Sequence, residues 1–350
     1  MKGLNLLLAF VPVAVLADLL GWDPVLVFAA AALGVVPLAS FMGQATEELA
    51  GHSGPRVGGL LNATLGNAAE LIIAIFAIRQ GLLELVKASI TGSILGNLLF
   101  ILGLSFLLGG RRHGQQRFHR GQAGVNAISL MLAVIALGIP SLFSHTIEAK
   151  SHDAVEYLSL GVAAVMMLIY ALSIAFLFRL PAQADAAHRE AAHHTPRWSL
   201  RRALVVLSLA TALIAWLSEI LVGAVEPVVV SLGITEFFLG IIIIPLVGNV
   251  VEHLVAVQTA LKNQMDLSLA ISLGSGLQIA LFVAPLLAFL SLLMGHPLTL
   301  VFNEFELIAL VASALIAVLA AQDGESNWLE GAQLLAVYFI VGLAFFFLPA

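Results

Sequence analysis

Two five-residue frames, Gly66-Asn67-Ala68-Ala69-Glu70 and Gly248-Asn249-Val250-Val251-Glu252, each set a carboxylate and an amide inside a stretch apolar enough to cross a membrane. A carboxylate at that depth is costly, so it faces a protein cavity or a wet path and serves an ion or proton route. The frames are copies. The offset that carries Glu70 to Glu252 also carries Ala74 to Ala256, Gly92-Ser93 to Gly274-Ser275, Leu95 to Leu277 and Phe100 to Phe282. The pattern reads as an internal duplication that builds one site from two half-sites.

The surrounding chain fits a membrane throughout. Of 350 residues, 61% are hydrophobic and 10% charged, where soluble domains carry about a quarter charged residues. The 15 Lys and Arg form no basic patch of the size nucleic acid needs, and the absence of cysteine excludes disulfides and thiolate metal sites. A helical span takes about 20 mainly apolar residues. That ruler predicts about eleven transmembrane helices, over 3–20, 24–42, 58–79, 86–109, 122–141, 154–180, 200–222, 235–261, 267–294, 298–320 and 329–349. The first resembles a signal peptide, with Val15-Leu16-Ala17 as a cleavage site, but its apolar run continues to Trp22 and reads as a retained span.

The expected architecture is an all-α integral membrane protein. It has an extra N-terminal transmembrane helix (1–22), a first five-helix repeat (23–180), a cytoplasmic inter-repeat linker (181–198) and a second five-helix repeat (199–350). Five is odd, so the repeats enter the membrane in opposite directions, an arrangement common in secondary transporters. Charge placement agrees. Arg111, Arg112, Arg117 and Arg120 follow the fourth span, Arg179, Arg189, Arg197, Arg201 and Arg202 follow the sixth, and Lys2, Arg56 and Lys262 alternate with them. Only Arg79, Lys87 and Lys150 fall on the other side. Positive residues mark the cytoplasmic face, which places the N-terminus in the cytoplasm and the C-terminus outside.

The chemistry concentrates in the third, fourth, eighth and ninth spans. Gly66 and Gly248 are weak helix formers, and Pro245 removes a backbone donor. Local unwinding in mid-membrane is expected at both frames, where it is tolerated only against protein or a wet cavity. Freed carbonyls, the Asn67 and Asn249 amides and the Glu70 and Glu252 carboxylates are oxygen donors. Hard divalent cations such as Ca²⁺ take six to eight of these. Two ionised carboxylates neutralise one divalent cation. Without it the like charges repel and are poorly solvated, so protons bind instead. A pair that holds either cation or protons, but not both, is the minimum an antiporter requires. Ser93 and Asn97 in the fourth span, with Ser275 and Gln278 in the ninth, offer further cation-binding oxygens. Packing between small residues is the bland reading of these four.

His253 follows Glu252 with no copy in the first repeat, where Leu71 stands, and reads as a proton relay or a satisfied interior histidine. Glu219, embedded among Trp216, Leu217, Ile220 and Leu221, reads as an access-path residue; Glu47 and Glu48 lie along a path or face interfacial water. Glu226 shares that pair of readings, and Glu84 and Asp266 read as solvated ends. The linker histidines His188, His193 and His194 match no strong ligand spacing and read as solvated. No residue is read as catalytic, and no cofactor is expected beyond Ca²⁺ as transported substrate.

With these residues in hand, the chain resembles the cation/proton exchanger family of the cation/Ca²⁺ exchanger superfamily. The likeness runs over essentially the whole length. Gly66-Asn67-Ala68-Ala69-Glu70-Leu71-Ile72, Gly248-Asn249-Val250-Val251-Glu252-His253, Ala45-Thr46-Glu47-Glu48-Leu49-Ala50, Ser218-Glu219-Ile220-Leu221-Val222-Gly223 and Gly274-Ser275-Gly276-Leu277-Gln278-Ile279-Ala280 carry it. The resemblance implies an eleven-helix exchanger that expels Ca²⁺ with the inward proton gradient. It puts Glu70 and Glu252 in the site with Asn67 and Asn249 beside them, and has the second and seventh spans slide. Members often carry an acidic stretch between the halves; here the stretch around Ala187-His188-Arg189-Glu190 is not acidic. No long extension precedes the first span, so control by one is not expected.

The alternative is a Na⁺/Ca²⁺ exchanger of the same superfamily. Those proteins resemble one another in Ser/Thr-rich Pro-Glu motifs at these positions. This chain has Asn and no Pro beside either Glu, which favours proton coupling. An intramembrane enzyme using paired acids finds only His145, His152 and Asp153, at an external loop with no matching cluster. A passive cation channel is set apart by strict exchange against a pH gradient. Expected partners are Ca²⁺, H⁺ and the lipid bilayer, with no nucleic acid; a homo-oligomer is left open. The length suits a prokaryotic plasma membrane.

Overall fold

The computed structural model describes residues 4–148, 152–177 and 196–348. The linker histidines His188, His193 and His194 lie outside these residues, as do Lys2, Lys150, Arg179 and Arg189 and the side chains of Arg56, His145 and His152. The described chain is almost wholly helical. Eight of its helices are long and apolar enough to cross a membrane, or nine when a bent pair is taken as one span. Leu4–Leu19 and Val250–Leu261 are shorter apolar helices.

The helices, in chain order, are α1 (Phe10–Leu19), α2 (Pro24–Leu65), α3 (Ala68–Arg79), α4 (Leu83–Leu95), α5 (Leu102–His113), α6 (Arg120–Glu148) and α7 (His152–Leu177). After the linker come α8 (Leu200–Gly223), α9 (Val225–Leu232), α10 (Glu236–Phe238), α11 (Ile244–Gly248), α12 (Val250–Leu261) and α13 (Met265–Gln278). The chain ends with α14 (Ala284–Leu293), α15 (Glu304–Ala321) and α16 (Trp328–Phe346). Three wider π-helical turns join neighbours: Gly96–Ile101 between α4 and α5, Leu239–Ile243 between α10 and α11, and Ile279–Val283 between α13 and α14. Two-residue strands β1 (Gln116–Arg117) and β2 (Glu325–Ser326) pair antiparallel.

The described residues form two units, and each draws on both halves of the chain. Unit one comprises residues 4–86 and 196–251; unit two comprises residues 87–148, 152–177 and 252–348. In unit one, α2 and α8 pack along each other. A Cβ added at Gly34 would lie 2.8 Å from Leu217 Cδ1, so the glycine is what permits the approach. Val35, Leu38, Met42 and Leu49 of α2 and Ile214 and Leu221 of α8 are buried.

The sequence predicts two spans over 24–42 and 58–79, with a polar break between them. The structure keeps one helix from Pro24 to Leu65 but folds it sharply within the predicted break: a Cβ added at Gly58 would lie 2.8 Å from Ala50 O, eight residues back, where a straight helix would hold them about 12 Å apart. Three hydroxyls along it return their hydrogen bonds to their own helix. Thr46 Oγ1 donates to Met42 O at 2.9 Å, Ser53 Oγ to Leu49 O at 2.8 Å and Thr64 Oγ1 to Leu60 O at 2.8 Å.

In unit two, α5 crosses α16 at glycines. A Cβ on Gly103 would lie 3.1 Å from Gly331 O, and one on Gly331 would collide with the Leu107 backbone. The non-helical stretch before α15 is stitched down by side chains. Ser291 Oγ accepts from Leu298 N at 2.7 Å, Ser141 Oγ from Phe302 N at 2.8 Å and Ser159 Oγ from Leu300 N at 3.2 Å, while Lys87 Nζ donates to Val301 O at 3.1 Å. These bonds satisfy backbone groups that burial would otherwise strand. Asn303 and Glu306 then form a capping box that starts α15.

A candidate cation site at two matched helix breaks

Both Gly-Asn-x-x-Glu frames break their helices at the asparagine. Asn67 has φ −97° and ψ 23°, and Asn249 has φ −97° and ψ 5°. These nearly equal values lie in the sparsely used region between helix and turn. The unwinding expected from sequence is therefore short, two residues at Gly66-Asn67 and one at Asn249, with nearly the same asparagine conformation in both. It places Glu70 in the first turn of α3 and Glu252 in the first turn of α12. There the bare N–H groups and the helix dipole favour negative charge.

Unit one holds Glu70, Asn67 and Asn249. Both asparagines are 1% exposed. Asn249 Nδ2 donates to Pro245 O at 3.0 Å, which turns Oδ1 away from that carbonyl. Glu70 lies against α11, where a Cβ added at Gly248 would be 2.8 Å from Glu70 Oε1.

Unit two holds Glu252, Ser93, Asn97, Ser275 and Gln278. Asn97, fully buried, spends its Nδ2 on Ser93 O at 3.0 Å and on Ser275 Oγ at 3.1 Å. Ser275 in turn hydrogen-bonds the Glu252 carboxylate. This chain of bonds orients the Asn97 amide with its oxygen outward. Among the described residues no donor reaches Asn97 Oδ1, Glu252 Oε2 or His253 Nε2, all buried. A buried acceptor without a donor is costly, and a cation would relieve it. Asn97 lies in the π turn 96–101, and Gln278 directly precedes the π turn 279–283. Such turns occur often at functional sites because they loosen the carbonyl ladder. His253 is 8% exposed and meets the Phe100 ring edge-on at 6.2 Å.

The access-path residues lie apart. Glu219 is exposed and lines a cavity of about 450 Å³ in unit one with Asp18, Trp22, Val27 and Trp216. At a helical rise of about 1.5 Å per residue, Glu47 and Glu48 lie about 30 Å along α2 from Val27. Glu47 is exposed. Glu48 is 6% exposed and accepts the backbone N–H groups of Arg197 at 2.6 Å and Trp198 at 2.9 Å. His52 adds a 2.7 Å contact from Nε2 to Trp198 O. Glu48 therefore anchors the end of the linker. Asp18 and Trp22 carry no motif, and only the fold brings them beside Glu219. Among the described residues no three His, Asp or Glu side chains cluster, so a cation here must lean on amide and hydroxyl oxygens as well as carboxylates.

The sequence profile of sodium/calcium exchanger proteins matches residues 24–179 and again residues 202–347. The chain is 45% identical to a Ca²⁺/H⁺ antiporter of Aphanothece halophytica, over 98% of this chain and 96% of that one. It is 42% identical to the Ca²⁺/H⁺ antiporter ChaA of Bacillus subtilis, over 98% of each. Its fold is similar to the solved structure of native YfkE, with a TM-score of 0.85, 39% identity, and coverage of 99% of this chain and 100% of the other. Matched on both repeats and along its whole length, the chain belongs to the sodium/calcium exchanger protein family and, within it, to the cation/proton exchangers.

Proposed function

We propose that the chain is a secondary antiporter that exchanges Ca²⁺ for protons across a membrane by alternating access. It is a transporter and not an enzyme. The observation that carries the reading is the pair of half-buried carboxylates, each with one buried oxygen and each in the first turn of a helix that opens directly after an asparagine of nearly the same backbone conformation. Glu70 and Glu252 take Ca²⁺ when ionised and protons when it leaves, so two protons per cation is the charge-balanced minimum. Asn67, Asn249, Ser93, Asn97, Ser275 and Gln278 supply neutral oxygens. His253 serves the proton side, and the unpartnered Nε2 supports that role. The double match of the family profile supports two repeats over 23–180 and 199–350.

Topology follows the charge bias, with the N-terminus in the cytoplasm of a prokaryotic cell and the C-terminus outside. Glu47 and Glu48, just ahead of the fold in α2, then lie toward the cytoplasm, and the Glu219 cavity opens outside as part of the access path.

The test is Ca²⁺ uptake into proteoliposomes of the purified chain, driven first by a pH gradient and then by an equal Na⁺ gradient. The expected result is uptake with the pH gradient alone, a KM for Ca²⁺ that rises as pH falls, and loss in both Glu70→Gln and Glu252→Gln. Uptake that requires Na⁺ would overturn the coupling ion. Uptake that survives either substitution would overturn the site.

A further inference from the structure

We infer that Gly248 is a positioning residue for the Glu70 carboxylate: the glycine of the second motif is the surface on which the glutamate of the first is seated. The inference rests on the reading of Glu70 as a cation ligand. A Cβ built on Gly248 would lie 2.8 Å from Glu70 Oε1, 3.0 Å from Cγ and 3.1 Å from Cδ. Three successive positions of one side chain thus press on one Cα. Backbone conformation gives no competing reason for glycine. Gly248 ends α11 and is absent from the glycines with positive φ, which are Gly21, Gly81, Gly114, Gly233, Gly295 and Gly324. Any L-residue fits its backbone, and alanine favours a helix more than glycine does.

What alanine cannot do is share the space with Glu70. The atoms in its way belong to the end of a flexible side chain, so the fold stays and the carboxylate moves. Binding and catalytic constellations tolerate errors of only about 0.5 Å before function declines. The cost therefore falls on ion affinity rather than on stability.

The experiment measures pH-driven Ca²⁺ uptake by the full chain in proteoliposomes, with the thermal unfolding midpoint in detergent. Gly248→Ala is expected to raise KM on the order of ten-fold, with a smaller change in kcat and an unfolding midpoint at or above the native one. Glu70→Asp shortens the side chain by one methylene and withdraws the oxygen at 2.8 Å, the shortest of the three approaches. Adding G248A to E70D is expected to change KM less than about two-fold, which is the signature of a shared space. Where E70D transports too slowly for a KM, the same pair is compared by Ca²⁺ titration calorimetry. Gly43→Ala, in α2 with open space where its Cβ would lie, is expected to keep the native KM. An unchanged KM in G248A, an equal rise in both backgrounds, or loss of folding in both would overturn the proposal. Failure of the underlying reading shows separately, as uptake that survives Glu70→Gln.

Discussion

The approach to the first helix break and the approach to the second are built differently, although the breaks match. The first is reached along α2, which folds sharply between Ala50 and Gly58 while staying helical to Leu65. The second is reached through α9 and then residues 236–248, bent from each other by 115°. The second bend has local causes. Gly233 closes α9 with φ +64°, a left-handed conformation that glycine adopts without penalty. Thr235 Oγ1 then accepts from Phe238 N at 3.0 Å and opens the next helix. In α2 the hydroxyls of Thr46, Ser53 and Thr64 instead fold back onto carbonyls one turn earlier. The conformation at the asparagine therefore does not depend on how the chain turns toward it. The five-residue motif fixes the break, and the flanking sequence decides whether the turn ahead of it is made within one helix or at an elbow between two.

Substitutions at the carboxylates test the equivalence of the breaks most severely. Glu70→Gln and Glu252→Gln are each expected to lower pH-driven uptake at least about a hundred-fold, as misplacing one essential group does. A large loss in one and a small loss in the other would break the symmetry. Next comes the bond chain of unit two. Asn97→Ala is expected to weaken Ca²⁺ binding by about 10- to 100-fold, and Ser275→Ala by about ten-fold, in calorimetric titration.

The elbow itself responds through stability. Gly233→Ala forces a side chain into the left-handed region and is expected to cost about 1–2 kcal/mol, seen as a lower unfolding midpoint. The smallest effect belongs to α2. Ser53→Ala removes a hydroxyl whose acceptor, Leu49 O, can keep its helical partner, and is expected to stay within about 0.5 kcal/mol. A larger loss there would mean that the hydroxyl holds the fold of α2 rather than merely fits it.

Some of this was legible in the residues themselves. A helix break inside the membrane needs glycine, proline or a self-bonding amide. Gly66-Asn67 and Pro245 with Gly248-Asn249 supply them, so both breaks and both carboxylates could be placed. The turn between the second and third spans was legible too, but the persistence of helix through it was not. Gln44, Thr46 and Ser53 look like a loop until their hydrogen bonds to Ser40, Met42 and Leu49 are seen. The π turns left no trace either, because one extra residue per turn over five or six residues shifts no periodicity. The duplication also promised symmetric linings. The structure places Asn97 inside its π turn but Gln278 just ahead of its own, so the two amides hold different positions. The seat of Glu70 on Gly248 joins residues far apart in the chain and is visible only in three dimensions.

The cavity beside Glu219 carries an optical consequence. The chain has four tryptophans, and Trp22 and Trp216 both line that cavity while remaining about half exposed. Trp198 is instead covered by the Arg202 guanidinium at 4.7 Å. Indole emission moves to the red as its surroundings become wetter, so much of the chain's natural fluorescence reports on the filling of one vestibule. A transport cycle that opens and closes this cavity would write itself into the emission spectrum, with no dye attached.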